Sequence, residues 1–238
     1  MNQTTAEKLV KKVKDDYVRI ADEFSESRSS LWPEMTDFLT YIKDGDQILD
    51  LGCGNGRLCQ LFRDKKISYL GIDNSPELIA DASQKFTNYQ SKCQFEVGDI
   101  LNISQQSTVN SQQYNVIFMI AVLQHIPSKK LQLKVLRDVN KLLKKDGYLI
   151  MTNWNLYRRK YWSYLFRKYF SFKSLKLTGW DIKDALIPWK GKNETVWRYY
   201  HAFTRNELIK LVQKAGFKTE KKYFVRQKQN IVVISKKW

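Results

Sequence analysis

The sequence predicts an α/β fold, with a doubly wound, mostly parallel sheet of seven strands. Three observations lead to this prediction. From residue 47 onwards, short apolar runs that suit buried strands alternate with amphipathic stretches that suit helices. A glycine-rich loop follows the first strand, and an acidic residue lies at or just after the end of the first three strands, as Asp50, Asp73 and Asp99. Parallel strands end at one edge of a sheet, so these residues are expected to meet there.

Helices are predicted ahead of the sheet, within residues 1–45. Apolar residues recur every three or four positions over residues 7–30, which gives this stretch the apolar face of an amphipathic helix. Pro33 can open a second helix over residues 34–42, because proline fits the first position of a helix.

The next hundred or so residues follow the order of a doubly wound sheet. Strands alternate with helices, and a Ser-, Gln- and Asn-rich stretch is predicted to be a loop. The predicted elements are strand 47–51, helix 56–64, strand 68–72, helix 76–87, strand 93–98, loop 102–113, strand 114–121, helix 128–144 and strand 147–152.

The alternation stops after the fifth strand. Residues 153–203 form a stretch far longer than the 2–6 residues that usually connect such elements, so we predict a helical, aromatic insertion that binds substrate. Helix 204–215 follows, and final strands at 217–225 and 230–235 are joined by a link that suits an antiparallel hairpin. With 238 residues, the chain is predicted to be a single domain.

Positive charge is concentrated in the last third of the chain. Residues 1–152 hold 20 Lys and Arg against 19 Asp and Glu, whereas residues 153–238 hold 21 against 5, so nearly all of the net charge of +17 lies in the second part. The same part holds 19 of the 32 aromatic residues. A basic, aromatic segment joined to a domain of ordinary charge favours a polyanionic partner.

Composition also argues against several classes of protein. No apolar run approaches the roughly 18–20 residues that a membrane span needs, and the polar N-terminus lacks the apolar core of a signal peptide. Cys53, Cys59 and Cys93 are odd in number and form no C-x-x-C pair. This pattern argues against a disulfide framework and a structural zinc site, so we expect no bound metal and a reducing, cytoplasmic location.

The glycine-rich loop predicts a site for a nucleotide-like ligand. Glycine recurs at every second position, as Gly52, Gly54 and Gly56, which lets the backbone approach a ligand closely. The spacing is not the G-x-G-x-x-G of NAD sites, and the Lys-Ser/Thr pair of a P-loop is absent. With Asp50 ahead of it, the loop resembles motif I of class I S-adenosylmethionine (SAM) methyltransferases. Asp73 lies 23 residues after Asp50, where such folds place the acid that binds a ribose diol.

This resemblance implies a Rossmann-like fold that takes SAM as methyl donor and releases S-adenosylhomocysteine. Asp99 is expected to bind the adenine amino group, with Ile100 against the adenine ring, although a simple turn residue is the alternative interpretation of Asp99. The expected donor site consists of Arg28, Asp50, Gly52, Cys53, Gly54, Asn55, Gly56, Asp73, Asn74, Asp99, Ile100 and Ala121.

Two further residues are candidates for contact with the substrate. His125 follows the fourth strand, at the sheet end where the transferred methyl group is expected, so it can orient a substrate, move a proton or only cap the loop. Arg28 lies on a polar turn ahead of the sheet. It can pair with a carboxylate of the donor or of the substrate, or remain a solvated charge.

Residues 154–172 combine nine aromatic and five cationic side chains. Aromatic rings stack on unpaired bases while cations contact phosphates, so the segment favours a nucleic acid. Two alternatives stay open. An amphipathic helix can pack Tyr161, Leu165, Phe166 and Tyr169 on the sheet, or a basic helix can lie on anionic lipid.

Three other stretches resemble a narrower family. They are residues 17–28 with Trp32-Pro33, residues 184–189, and the run Arg198-Tyr199-Tyr200-His201-Ala202-Phe203 with Glu207-Leu208. Together they are similar to the tRNA methyltransferases that esterify 5-carboxymethyluridine at the anticodon wobble position, of the yeast type and of the type fused to an AlkB-like hydroxylase. The likeness implies a tRNA substrate and allows for a small zinc-binding activator subunit. It places at the substrate end of the site Arg28, His125, Arg198, Tyr199 and His201.

Esterification suits a site with few bases. A carboxylic acid with an ordinary pKa of about 4 is ionised at pH 7, so it can attack a sulfonium methyl group without a general base. The chain has only two histidines, which favours a substrate that is already anionic. Arg198 and His201 are expected to hold one carboxylate oxygen and leave the other aimed at the methyl group. Two other functions stay open: a methyltransferase for a small acid or lipid-like substrate, and a catalytically silent module that binds SAM and RNA.

Overall fold

Nine strands are described in the structure, and seven of them form the central sheet. The computed structural model describes residues 1–87, 92–166, 179–192, 194–225 and 227–238. The strands are β1 (Gln47–Leu51), β2 (Ser68–Asp73), β3 (Lys92–Val97), β4 (Tyr114–Ile120), β5 (Leu143–Trp154), β6 (Asp184–Lys190), β7 (Thr195–His201), β8 (Phe217–Val225) and β9 (Asn230–Lys237). The order across the central sheet is β3-β2-β1-β4-β5-β9-β8, and β6 pairs with β7 in a separate two-stranded sheet.

The direction of the strands confirms the predicted topology. Strands β1 to β5 run parallel, whereas β9 is antiparallel to β5 and to the edge strand β8. The predicted C-terminal antiparallel hairpin is therefore confirmed. β1 pairs with β2 on one side and with β4 on the other. In an open α/β sheet, this reversal of strand order leaves a cleft at the carboxyl ends of the strands.

Helices cover both faces of the sheet. They are α1 (Gln3–Arg19), α2 (Ala21–Glu26), α3 (Pro76–Lys85), α4 (Ser107–Asn110), α5 (Lys129–Leu142), α6 (Trp162–Phe166) and α7 (Arg205–Lys214). Neighbouring residues of β4 face opposite layers, because successive side chains of a strand alternate. Ile117 packs in the layer that contains Val139 of α5, whereas Phe118 packs in the layer that contains Phe38 and Phe62. Within the described ranges, no helix has both the length and the apolar character that crossing a bilayer requires.

Several predicted helices differ from those in the structure. The helix predicted over residues 7–30 is interrupted at Ile20, which leaves the helical conformation at φ −107° and ψ 8° between α1 and α2. The helices predicted at 34–42 and 56–64 are the 3-10 helices Pro33–Tyr41 and Arg57–Phe62. Apolar spacing alone does not separate these two kinds of helix when the segment is short.

The stretch predicted as a loop at 102–113 contains short helices. A 3-10 helix, Ile100–Gln105, begins where the Asp99 side chain accepts a hydrogen bond from the Leu101 N–H at 2.9 Å. α4 follows it, and Val109 is fully buried. Polar residues that favour loops also cap short helices, which explains why the composition of this stretch was misleading.

The insertion contains a β-hairpin that the sequence analysis missed. β6 and β7 pair antiparallel, with Ile187 opposite Arg198. Almost every side chain of β7 is large, so the sequence shows no alternation of apolar and polar residues there. On β6, Pro188 argues against a strand. The hairpin and α6 share a small core of their own, made of Leu156, Leu165, Ala185, Ile187, Tyr200 and Ala202. Residues 167–178, with the aromatic residues predicted to bind bases at 169, 170 and 172, lie outside the described residues.

Cys59 and Cys93 form a disulfide bond, which corrects the expectation of unpaired cysteines. Cys59 lies in the 3-10 helix after the glycine-rich loop, and Cys93 lies on β3. An odd count of cysteines does not prevent two of three from meeting, so the rule applied to the sequence was too simple. Cys53 is a free, buried thiol. The cytoplasmic location inferred from the cysteine pattern stays a prediction.

Candidate functional site

A cleft lies at the carboxyl ends of the central strands, where the reversal of strand order predicts it. Residues from the ends of several strands and from the N-terminal helices line it. α1 closes one side, where Val10, Val13 and Tyr17 line the cleft. The cleft brings together most of the predicted donor residues: Arg28, Asp50, Gly52, Cys53, Gly54, Asn55, Asp73, Asn74, Asp99, Ile100 and Ala121.

Two glycines of the loop have a positive φ and lie where a Cβ would collide with a neighbouring residue. Gly52 has a φ of +73°, and a Cβ there would lie 2.5 Å from Cγ2 of Val122. Gly56, which was predicted to bind the donor, does not line the cleft. Its φ is +72°, and a Cβ would lie 2.7 Å from the ring of Phe95 and 2.9 Å from Cβ of Ala82. Gly56 therefore lets the loop pack on β3 and α3, and its contact with the donor stays a prediction.

Asp73 is held rigidly at the end of β2. Its Oδ2 accepts a hydrogen bond from the Gly54 N–H at 2.9 Å, and its Oδ1 accepts one from the Ser75 N–H at 3.0 Å. Burial raises the pKa of Asp73, while these backbone bonds oppose the shift. Each carboxylate oxygen can accept a further bond, so the fixed carboxylate fits a ribose diol.

Asp50 has an unsatisfied oxygen beneath the loop. Its Oδ2 accepts a 2.6 Å hydrogen bond from the Tyr69 hydroxyl, but its buried Oδ1 has no partner in the part of the chain that the structure describes. Burial raises the pKa of Asp50 to about 7, and the charge of Asp73 adds to the shift while the Tyr69 bond opposes it. A cation in the cleft would satisfy Oδ1. The ammonium group of SAM is such a cation, so Asp50 and Asp73 together fit this donor.

The loop also positions the segment that carries Arg28. The Asn55 side-chain amide donates hydrogen bonds to the Ser25 carbonyl at 3.2 Å and to the Arg28 carbonyl at 3.3 Å. The Arg28 guanidinium then lies 5.5 Å from the centre of the Phe24 ring and 5.6 Å from that of Trp189. Arg28 is thereby placed on the wall of the cleft, as predicted.

Arg198, on β7, is the most unusual charge in the cleft. It is only 3% exposed, and aromatic rings surround it at 4.9–5.8 Å from the guanidinium carbon: Tyr17, Trp154, Trp189 and Tyr200. Among the described residues no carboxylate forms an ion pair with it, and its Nε has no hydrogen-bond partner. Cation–π contacts contribute about 2 kcal/mol when desolvated, less than the several kcal/mol that burying an unpaired charge costs. An anion bound beside Arg198 would offset the remaining free-energy cost of burying its charge.

A chain of hydrogen bonds fixes the orientation of Arg198. Its Nη1 donates to the Tyr17 hydroxyl at 3.2 Å, and that hydroxyl lies 3.0 Å from Nε2 of His125. Nδ1 of His125 lies 3.0 Å from the Tyr199 carbonyl, which can only accept, so Nδ1 carries the proton and Nε2 accepts from Tyr17. Burial, reinforced by the charge of Arg198, lowers the pKa of His125 to about 3. His125 is therefore neutral at pH 7 and holds Tyr17.

Tyr199 and His201 do not line the cleft, which corrects their expected place beside Arg198. Successive side chains of a strand point to opposite faces, so Tyr200 accompanies Arg198 while Tyr199 and His201 point away. The Tyr199 hydroxyl donates to Oδ1 of Asp184 at 2.7 Å, and Nδ1 of His201 lies 2.8 Å from the same oxygen. Burial lowers the pKa of His201, but Asp184 and Glu207 outweigh it and raise the pKa to about 9. His201 is thus a buried cation between two carboxylates, and it cannot share a substrate group with Arg198.

Four of the aromatic residues that line the cleft had no individual role in it predicted from the sequence: Tyr17, Phe24, Trp154 and Tyr200. Tyr17 and Phe24 contributed only to the apolar face of the first helix and to the stretch 17–28 that resembles the narrower family. The hydroxyl of Tyr17 on that otherwise apolar face was the available signal. Tyr200 could have been found from Arg198, had β7 been recognised as a strand.

Comparison with known proteins identifies the family. A family model described as a methyltransferase domain matches residues 42–216, more than half of the chain. The tRNA (carboxymethyluridine(34)-5-O)-methyltransferase of Schizosaccharomyces pombe is 24% identical over 216 residues, which cover 84% of this chain and 86% of the relative. Against four other curated relatives, all named as tRNA methyltransferases, the chain covers only 20–35% of their length.

Solved structures agree on the fold. A SAM-dependent methyltransferase from Methanosarcina mazei superposes with a TM-score of 0.66 at 23% identity, covering 87% of this chain and 98% of the other. A chain of the complex between the Haloferax volcanii Trm112 methyltransferase activator and its methyltransferase gives a TM-score of 0.61 at 15% identity, covering 92% and 96%. The glycine-rich loop, Asp50 and Asp73 lie together in the cleft of this fold. The chain therefore belongs to the methyltransferase domain family, and its fold is that of the class I SAM-dependent methyltransferases.

Proposed function

We propose that this methyltransferase acts on tRNA and methylates the carboxylate of a carboxymethyl group on the wobble uridine. The observation that carries the proposal is Arg198, a buried cation that forms no ion pair with a carboxylate among the described residues. The charge of Asp16 acts on it, but that carboxylate is paired with Lys12. Nε1 of Trp189 beside it is also a buried donor without a partner in those residues. The unused Nε of Arg198, a residue that lines the cleft, suits a carboxylate that arrives with the substrate. The names of the relatives and the basic last third of the chain support RNA as the molecule that bears this carboxylate.

The residues of the cleft are suited to esterification without a general base. SAM supplies an electrophilic methyl group when it is bound. The substrate carboxylate is ionised at pH 7 and needs only to be oriented and shielded from water. Arg198 binds one carboxylate oxygen, Tyr17 and His125 hold Arg198 in place, and the surrounding rings exclude water. Arg28, which lies against the same Trp189 ring as Arg198, binds the carboxylate of the donor or of the substrate.

Two further parts of the proposal concern partners. The insertion at residues 153–203 contacts the RNA, because it carries the aromatic wall of the cleft and much of the positive charge. A small zinc-binding activator subunit binds this protein as well. The similarity to a chain that was solved in complex with the Trm112 activator supports this part.

Methyl transfer from labelled SAM to tRNA tests the function. The assay is run with and without an added activator subunit, and we expect label in tRNA. Because the product is an ester, mild alkaline hydrolysis should release that label as methanol. Label that is stable to alkali would exclude the ester. Transfer only to nuclease-treated extract would instead indicate a small acid or a lipid-like substrate, and SAM binding without any transfer would indicate a silent module.

The affinity for SAM is expected to increase with pH because of Asp50. Its pKa of about 7 leaves few molecules ionised at pH 5.5 and half of them at pH 7, so the ammonium group gains its partner over this range. We expect about a tenfold lower Kd at pH 7 than at pH 5.5, measured by calorimetry. In the free enzyme the folded state binds the extra proton, so the same raised pKa lowers stability as pH rises from about 4 to about 7.

Asp50→Asn provides the control for this pH dependence, because it keeps the shape of the side chain and removes the titration. Its Kd should be higher than that of the wild type at pH 7 and flat between pH 5.5 and 7. Equal slopes for both proteins would contradict the role of Asp50.

Tyr17→Phe should slow methyl transfer without changing SAM affinity. The substitution removes the hydroxyl that links Arg198 to His125 but keeps the ring that covers the cleft. Losing one such link costs about 1 kcal/mol, which corresponds to a fivefold fall in kcat/KM for tRNA. Steady-state kinetics at saturating SAM measure it. A fall that came only from weaker SAM binding would show that Tyr17 serves the donor instead.

A further inference from the structure

Aromatic rings extend from the wall of the cleft towards the surface. Tyr200 and Trp154 line the cleft, with ring centroids 5.3 Å apart and planes inclined by 29°. Tyr161 stacks on Trp154 at 6.4 Å and 27°. Exposure increases along this series, since Tyr200 is buried whereas Trp154 and Tyr161 are half-buried. Three nearly parallel rings therefore connect the cleft to the surface.

Exposed rings and cations continue this series. Tyr157 is 41% exposed and Trp162 is 49% exposed, which is high for residues of this size. Arg159 and Lys160 are exposed beside them, and Nζ of Lys160 lies 4.7 Å from the centre of the Tyr161 ring. We call the five residues Tyr157, Arg159, Lys160, Tyr161 and Trp162 the outer platform.

The outer platform is held in place from below. The Trp162 indole N–H donates to the Tyr157 carbonyl at 2.9 Å, and the Tyr157 hydroxyl donates to the Ala202 carbonyl at 3.2 Å. Leu156 and Leu165, at the two ends of this stretch, are buried in the small core against the β6–β7 hairpin. The rings are thus exposed on a packed support, so a ligand that stacks on them does not have to order them first.

We propose that the outer platform binds unpaired nucleotides next to the one that is methylated, so that the partner is an RNA loop. Every base offers a flat face for stacking, and the cations beside the rings suit the phosphates that join the bases. A paired duplex hides the faces of its bases, so it could use only the cations. This inference rests on the proposed function, and it adds where the RNA binds and which RNA structure is recognised.

A pair of substitutions at Trp162 separates stacking from structure. Trp162→Phe and Trp162→Leu both remove the N–H that donates to Tyr157, but only the leucine variant removes the ring. We expect Trp162→Leu to raise the Kd for an RNA hairpin with an unpaired loop about tenfold, and Trp162→Phe to raise it by no more than about threefold. SAM affinity and thermal stability should be equal in the two variants. Equal losses of RNA affinity in both variants would overturn the proposal.

Controls address the cations and the type of partner. Lys160→Ala should reduce the slope of log affinity against log salt concentration for hairpin binding by about one unit. Lys145 lies near the start of β5, whereas the platform follows the end of β5, so Lys145→Ala should leave this slope unchanged. Trp238→Leu, at an exposed tryptophan outside the platform, should leave hairpin binding unchanged. Fully paired RNA and vesicles of anionic lipid should bind Trp162→Leu as well as they bind the wild type. A loss of vesicle binding in Trp162→Leu without a loss of hairpin binding would assign the platform to lipid.

The outcomes distinguish this inference from the proposed function. If the wild type methylates tRNA and Trp162→Leu binds the hairpin normally, the platform is excluded and the function stands. If the wild type transfers no methyl group to RNA but Trp162→Leu loses hairpin affinity, the platform stands and the methylated group must be sought elsewhere.

Discussion

Arg198→Ala is expected to lower kcat/KM for methyl transfer to tRNA by about a hundredfold to a thousandfold, because truncating one partner of a buried charge pair costs about 2–5 kcal/mol. The substitution removes the cation that the substrate carboxylate would meet and leaves that carboxylate among aromatic rings. The Kd for SAM should change less than twofold, since Asp50, Asp73 and the glycine-rich loop lie on or next to β1 and β2 and not on β7. Kinetics with labelled SAM, together with a separate titration of SAM, measure the two quantities.

Stability is expected to respond in the opposite direction to activity. Burying a cation that forms no ion pair costs free energy, so Arg198→Met, which removes the charge and keeps most of the side-chain volume, should be as inactive as Arg198→Ala and should unfold at the same temperature as the wild type or higher. Arg205→Ala is the matched control: it removes an arginine that also lies over a ring, 5.5 Å from the centre of Phe224, but outside the cleft. The control should retain full activity. Full activity in Arg198→Ala would exclude the proposed role of Arg198.

Much of the fold could be predicted because local patterns and topology agree in the sheet region. Apolar runs such as that of β4, buried from both sides, are recognisable without knowledge of their neighbours. The glycine-rich loop and Asp73 could be placed in one cleft for the same reason, since parallel strands end at a common edge. The 3-10 helix Arg57–Phe62 begins after Gly56, whose positive φ and close approach to Phe95 depend on a residue almost 40 positions away, so the local sequence did not reveal it.

The substrate end of the cleft could be predicted only in part. Arg198, Tyr199 and His201 were grouped because the family resemblance places all three at the substrate end, but the strand that carries them separates Arg198 from the other two. The opposite error concerns Tyr17, which is 181 residues from Arg198 in the sequence and bonded to it in the fold. Contacts between an N-terminal helix and a late strand leave no local pattern, so only the structure can assign them.

Gly52→Ala is expected to weaken SAM binding on the order of a hundredfold. An alanine at a φ of +73° is strained by about 1–2 kcal/mol, and its Cβ would lie 2.5 Å from Cγ2 of Val122, an overlap that typically costs a further 1–3 kcal/mol. Val122 is short and stiff, so relief must come from a shift of the loop. That shift would displace the Gly54 N–H from the Asp73 carboxylate. Calorimetric titration of SAM measures the loss.

Two variants separate the strain from the overlap. Gly45→Ala introduces alanine at a φ of +88° with no atom within 4 Å of the new Cβ, so it should lower stability slightly and leave SAM affinity unchanged. Val122→Ala in the Gly52→Ala background removes the colliding methyl groups, so it should recover a large part of the affinity. Recovery would show that close packing between the loop and Val122 shapes the donor site. If the double variant binds SAM no better than Gly52→Ala, backbone conformation alone controls the loop, and Val122 has no part in shaping the donor site.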